Sequence, residues 1–140
     1  MDDSGYLDDN YTIDGTGVTI TQRDVRQIQL AKSAICAGLI TLLETQDLPV
    51  DAVDRLAIAG GFGNSMNMNS ACAIGLFPIA LRDKADFIGN GALGGAAMLL
   101  MNHALREKSE QMAQNSTEIS LSANPTFMDY YIDCMSFMTF

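Results

Sequence analysis

One histidine and three widely spaced cysteines leave this 140-residue chain with almost no metal-binding chemistry. Cys36, Cys72 and Cys134 offer no CxxC or CxH spacing to accompany His103, so a closed zinc or iron–sulfur site within the chain is not expected. Cys36 and Cys72 lie in apolar, helix-like runs and read as buried thiols in a reducing compartment. Positive charge is scarce as well: eight Lys and Arg stand against seventeen Asp and Glu, a net charge of −9. Without a basic stripe, nucleic acid and anionic lipid are not expected partners. The N-terminus is acidic and lacks a signal pattern, and the apolar run near residues 92–101 is too short to cross a bilayer, so a cytoplasmic protein without membrane contact is expected. No Ser/His/Asp or Cys/His set assembles into a nucleophilic triad. Asp24, Asp54 and Asp86 stand at the starts of elements, where caps or turn formers are the expected role.

What is present is a globular balance, 48% apolar and 18% charged residues, in a length suited to one domain with a real core. Residues 1–17 are polar and acidic, a flexible lead-in to a domain over 18–140. Val18-Thr19-Ile20 suits a short edge strand. Thr21-Gln22-Arg23-Asp24 is a capping box in its Asp form, and Ile28, Ala31, Ile35, Leu39 and Leu42 then recur at helical steps as one apolar stripe. A strand is expected over 54–59, a helix around 69–74 stopped by Gly75 and Pro78, and a strand over 86–88. A further helix should run to about Ala104, with His103 near its end meeting the terminal carbonyls, followed by a polar surface segment over 109–114. Thr117–Leu121 alternates like a third strand, and Asn124-Pro125 starts a last helix carrying Phe127, Tyr131, Met135 and Met138. Helices alternating with strands imply a layered α/β sheet.

Two glycine turns carry the functional signal. Leu56–Ala59 runs into Gly60-Gly61-Phe62-Gly63-Asn64, and Phe87-Ile88 runs into Gly89-Asn90-Gly91-Ala92-Leu93-Gly94-Gly95-Ala96-Ala97. Glycines straight after a strand permit a sharp turn and let a ligand reach main-chain N–H groups without a Cβ in the way. Neither turn is a P-loop or a clean GxGxxG. The plainer readings are a tight βα turn with Phe62 as a core plug at the first, and close helix packing through small residues at the second. On the first helix Gln29, Lys32 and Ser33 lie off or beside the apolar stripe, where a solvated polar face is the plainer reading.

Ile20–Arg26, Gln29-Leu30-Ala31-Lys32-Ser33-Ala34-Ile35-Cys36-Ala37-Gly38, Ala59–Asn64, Ile74–Pro78 and Phe87–Ala96, in this order and spacing, resemble the C-terminal part of the ATP-dependent reductive activators of corrinoid proteins. These belong to the acetate and sugar kinase/heat-shock chaperone/actin superfamily, and the resemblance covers residues 18–138. It implies a ribonuclease-H-like, actin-like ATPase lobe, a mixed sheet flanked by helices. It also implies ATP or ADP as cofactor, with Gly60, Gly61, Phe62, Gly63 and Asn64 as the adenosine turn and Gln29, Lys32 and Ser33 facing adenine and ribose. Gly91 and Gly94 would belong to the helix that crosses closely at the interdomain hinge. The family's activity is ATP-driven reduction of a Co(II) corrinoid to Co(I) on a methyl-transfer corrinoid protein, which is the implied partner, with a second ATPase lobe or a second copy of the chain. The chain departs from the family in lacking the iron–sulfur cysteines and the phosphate-binding motifs, so Mg²⁺ would come from a lobe not present here. Catalysis by this chain alone is not expected. Two rival readings are a non-catalytic interaction or oligomerisation module with a vestigial nucleotide site, and a small Rossmann-like binder of S-adenosylmethionine or a dinucleotide.

Overall fold

The computed structural model describes residues 1–61 and 65–140. Strands β1 (Tyr11–Thr12) and β2 (Thr19–Ile20) form an antiparallel hairpin ahead of a 24-residue helix, α1 (Gln22–Thr45). Helix α1 starts where the sequence places it. The Thr21 hydroxyl accepts from the Asp24 N–H, and the Asp24 carboxylate accepts from the Thr21 N–H at 2.9 Å, closing the capping box. These Thr21 donors also hold the Asp24 carboxyl below the usual carboxylate range.

Beyond α1 come β3 (Leu56–Ala59), α2 (Met68–Ala73) and β4 (Ala85–Gly89). Helices α3 (Gly91–Met101), α4 (Ala104–Gln114) and α5 (Pro125–Asp133) follow, with short 3₁₀ turns at Val50–Ala52, Ile79–Lys84 and Leu121–Ala123. Strands β3 and β4 pair in parallel, Leu56 opposite Ala85 and Ile58 opposite Phe87. Among the described residues the strands form two separate pairs, one antiparallel and one parallel. Helix α5 packs along α1, and its start follows the sequence grammar: the Asn124 side chain accepts from the Thr126 N–H at 3.0 Å, with Pro125 at the first helical position. A small core of Ala71, Cys72, Leu76 and Phe77 lies below α2, joined by half-buried Leu39, Leu56 and Ile58. Gly75, at φ +73°, ends α2 in the left-handed conformation that glycine adopts freely.

Several expectations need correction. Thr117–Leu121 is not a strand; it is irregular chain leading into the 3₁₀ turn, and it joins neither sheet among the described residues, so its alternation gains no ladder hydrogen bonds. The helix after the second glycine turn stops at Met101, and Asn102 starts a new helix, its side chain accepting from the Ala104 N–H at 3.0 Å. Residues 109–114 therefore lie in α4, and His103 precedes that helix without a side-chain capping bond. The last helix ends at Asp133, so Met135 and Met138 lie in the segment after it. Cys36 is not a free thiol: it is joined to Cys134 in a disulfide, while Cys72 is free and buried. Asp86 takes part in an ion pair with Arg55 across the start of the parallel pair.

The largest departure concerns which side of α1 faces inward. The apolar stripe is half open to solvent, with Ile28 and Ile35 each 48% exposed and Leu42 46%. The buried side carries Lys32, Ser33, Cys36, Ala37, Gly38 and Thr41. Small side chains there let α5 come close, which is why this side and not the greasier one is covered. Helix α1 is also long and apolar enough to cross a membrane by length and composition; here its polar side is packed under α5 and the segment after it.

Candidate functional site

The parallel pairing of β3 and β4 brings the two glycine turns side by side. Ala59 stands opposite Gly89, and the Gly60 N–H donates to the Gly89 carbonyl at 2.7 Å. Gly60 has φ +90° and Gly89 φ +63°, so both turns use the left-handed backbone that side chains disfavour. Among the described residues nothing lies within 4 Å of where a Cβ on Gly60 or Gly61 would stand. Gly60 and Gly61 therefore present bare backbone with no described neighbour on the side a Cβ would take. Phe62, Gly63 and Asn64 lie outside the described residues.

The second turn opens α3. The Asn90 side chain accepts from the Leu93 N–H at 3.0 Å, and Gly91 sits at the first helical position. A Cβ on Gly91 would make ordinary contact with Ile88 and Ala59, so α3 begins tucked against both strands. Gly94 and Gly95 face open space, and α3 buries none of its residues, with Leu100 86% exposed. Among the described residues, the close packing that its small residues permit is not made at Gly94 and Gly95.

Beside β3 an apolar cavity of about 710 Å³ separates the strand from α1. Ile28, Ala31 and Ile35 of the exposed stripe form one wall, Leu56 and Ile58 the other, and Phe77 and Ile74 close one side. This cavity is what the apolar stripe of α1 faces.

Gln29, Lys32 and Ser33 are not gathered at the glycine turns. The Lys32 ammonium is 2% exposed and donates to the carbonyls of Cys134 and, at 2.7 Å, Ser136. It lies 5.4 Å from the centre of the Phe137 ring. Burial holds its pKa below the ordinary lysine value. The Gln29 amide donates to Ser4 O at 2.8 Å and Met135 O at 3.0 Å, and the Ser33 hydroxyl turns back to Gln29 O at 2.6 Å. Gln29 and Lys32 thus anchor the terminal segments on α1, while Ser33 bonds within the helix; of the three, only Lys32 also lines the cavity wall. The segment before α1 joins this anchorage: Gln22 exchanges hydrogen bonds with Leu7 N and Gly5 O.

Sequence reasoning missed the carbonyls of Cys134, Met135 and Ser136 that receive these bonds, since backbone acceptors carry no side-chain signal. Among the described residues no group of three or more His, Cys, Asp or Glu is placed to hold a metal ion.

Two adjacent glycine turns at the end of a parallel pair, one opening a helix of small residues, agree with what comparison finds. A sequence model for the C-terminal domain of RACo, the ASKHA domain, matches residues 5–140. The chain belongs to this family. The match takes in most of the acidic segment as well as the helical body. The chain is 34% identical over 119 residues to the corrinoid activation enzyme RamQ of Eubacterium limosum, which spans 85% of this chain and 20% of that protein. A solved structure of a reductive activator for corrinoid, iron–sulfur protein superposes with a TM-score of 0.82 and 31% identity, over 98% of this chain and 25% of the other. The chain thus spans about a fifth to a quarter of the length of the relatives it matches. Its fold is the α/β, actin-like ATPase lobe expected from the sequence.

Proposed function

We propose that this chain is the adenosine-side lobe of an ATP-dependent activator that supports reduction of a Co(II) corrinoid to Co(I) on a methyl-transfer corrinoid protein in the cytoplasm. The observation that carries this reading is the adjacency of the two turns through the Gly60–Gly89 hydrogen bond, with bare backbone at Gly60 and Gly61. A nucleoside fits such a place because main-chain N–H groups are reachable there without a Cβ barrier. Gly60 and Gly61 would hold it, with Phe62, Gly63 and Asn64 completing the turn. ATP, when bound, supplies free energy by phosphoryl transfer. That chemistry needs groups around the γ-phosphate and Mg²⁺, which a second lobe would bring. Closure of two lobes on the nucleotide is then the movement that changes the hold on the corrinoid protein.

A second reading has its own support. The side chains of Gln29, Lys32 and Ser33 are engaged with the chain's own backbone, which favours an interaction module with a vestigial nucleotide site. Calorimetric titration of the chain with ATP and with ADP, beside Gly61→Val, separates the two. Gly61 has no positive φ and no described neighbour that a side chain would strike, so the variant should keep its fold and lose the binding heat. No heat with either nucleotide overturns nucleotide binding by this chain and leaves the interaction module.

A further inference from the structure

We propose that Cys36 and Cys134 are a reversible thiol–disulfide couple that sets how firmly residues 134–140 are held on α1. The two cysteines are 98 residues apart in sequence, with Cα atoms 6.3 Å apart, within the span a disulfide bridges. Cys36 is fully buried in the middle of α1, and Cys134 sits half-buried just past the end of α5. The segment after Cys134 folds back over the lobe. Its carbonyls take up Gln29 and Lys32, Phe137 N–H donates to Asp3 O at 2.8 Å, and Phe140 O accepts from Ile79 N–H at 2.8 Å. Met138 O lies against Gly75, at the end of α2. One covalent bond therefore sits at the root of a segment that touches the N-terminal residues, α1, α2 and the 3₁₀ turn before β4.

A cleft of about 290 Å³ reaches the pair, lined by Lys32, Cys36, Asp133, Cys134, Ser136 and Thr139. A small dithiol enters there. One of its thiolates attacks Cys134 Sγ, the bond between the cysteines breaks, and Cys36 leaves as a thiolate that takes up a proton. The second thiol of the reductant then attacks the mixed disulfide, which releases Cys134 as a thiol and the reductant as a cyclic disulfide. Two electrons pass from the dithiol to the pair, and a small-molecule disulfide returns the pair to its closed form by the reverse exchange. With the bond open, residues 134–140 stay on the lobe through hydrogen bonds and packing without a covalent tie, and detach more often.

The test uses the whole chain, incubated while folded either with glutathione disulfide or with dithiothreitol, then quenched in acid, denatured, alkylated and mapped by mass spectrometry. The expected result is a Cys36–Cys134 cross-link in the first sample, both cysteines alkylated in the second, and interconversion on exchanging the reagents. Hydrogen exchange on the same samples should show the Phe137 and Ile79 amides exchanging about tenfold faster when reduced, with the α2 amides less affected. Cys134→Ser should exchange at the reduced rate whatever the reagent, and Cys72→Ser should switch as the wild type does. If Cys134→Ser does not fold, the two wild-type samples decide the matter. Failure to form the cross-link in folded protein, or equal exchange in both samples, overturns the proposal.

Discussion

Replacing Gly75 by alanine tests how the segment after α5 is held. At φ +73°, an L-residue costs roughly 1–2 kcal/mol in backbone strain. The new Cβ would also fall well inside contact distance of the Met138 carbonyl oxygen, a backbone atom that cannot rotate away. Relieving that clash moves the segment and strains the bonds from Lys32 to Ser136 O and from Ile79 to Phe140 O. Such bonds contribute about 0.5–1.5 kcal/mol each, more where a charge donates. Together these give a loss of about 3–5 kcal/mol, a large part of a typical domain's total stability. Gly15→Ala supplies the control, because Gly15 has φ +74° with nothing near its Cβ position and should lose the strain alone, about 1–2 kcal/mol. Urea unfolding followed by circular dichroism, with the disulfide closed in both variants, measures the difference. If Gly75→Ala is no less stable than Gly15→Ala, the segment does not rest on Gly75 and the reasoning fails.

Other substitutions test separate parts of the argument. Thr41→Val removes a fully buried hydroxyl with no partner among the described residues, and should leave stability unchanged or raise it by about 1 kcal/mol in the same assay; a clear loss would reveal a partner. Gly94→Ala and Gly95→Ala should stabilise the chain by about 0.5–1 kcal/mol each, since both sit within α3 and face open space. If α3 packs closely on a second lobe, the same changes should weaken that association in a co-purification assay, and unaltered association would argue against such a hinge. Lys32 gives a pH signature. Its native pKa is lowered by burial, so between that value and about 10.4 the unfolded chain binds more protons and native stability rises with pH. The stability of wild type relative to Lys32→Met should therefore increase from neutrality toward about pH 10, and a flat difference would show that the ammonium is not desolvated.

Local grammar was legible wherever a side chain acts on its own neighbours. Thr21 with Asp24 and Asn124 with Pro125 start helices where they were expected to, and Asn90 caps the helix expected after the second glycine turn. The paired glycine turns also stand at the ends of β3 and β4. Long-range pairings were not legible. Periodicity showed that Ile28, Ala31 and Ile35 share a face, but not that α5 would cover the opposite one and leave this face on a cavity. The alternation in Thr117–Leu121 suggested a strand, yet a strand exists only with a partner, and this segment pairs with none of the described strands. Cys36 and Cys134 gave no spacing signal because 98 residues separate them. Lys32 reads as a surface or ligand-facing lysine until the carbonyls of Cys134 and Ser136 are seen around it.

The amide of Gln29 joins Ser4 to Met135, residues at opposite ends of this lobe. As the lobe is synthesised the first of these contacts can form early, but the second must wait until the segment after α5 has been made. Until then Lys32 and Ser33 on α1 lack that cover. Such late, non-local closure slows folding and exposes the nascent chain to wrong partners.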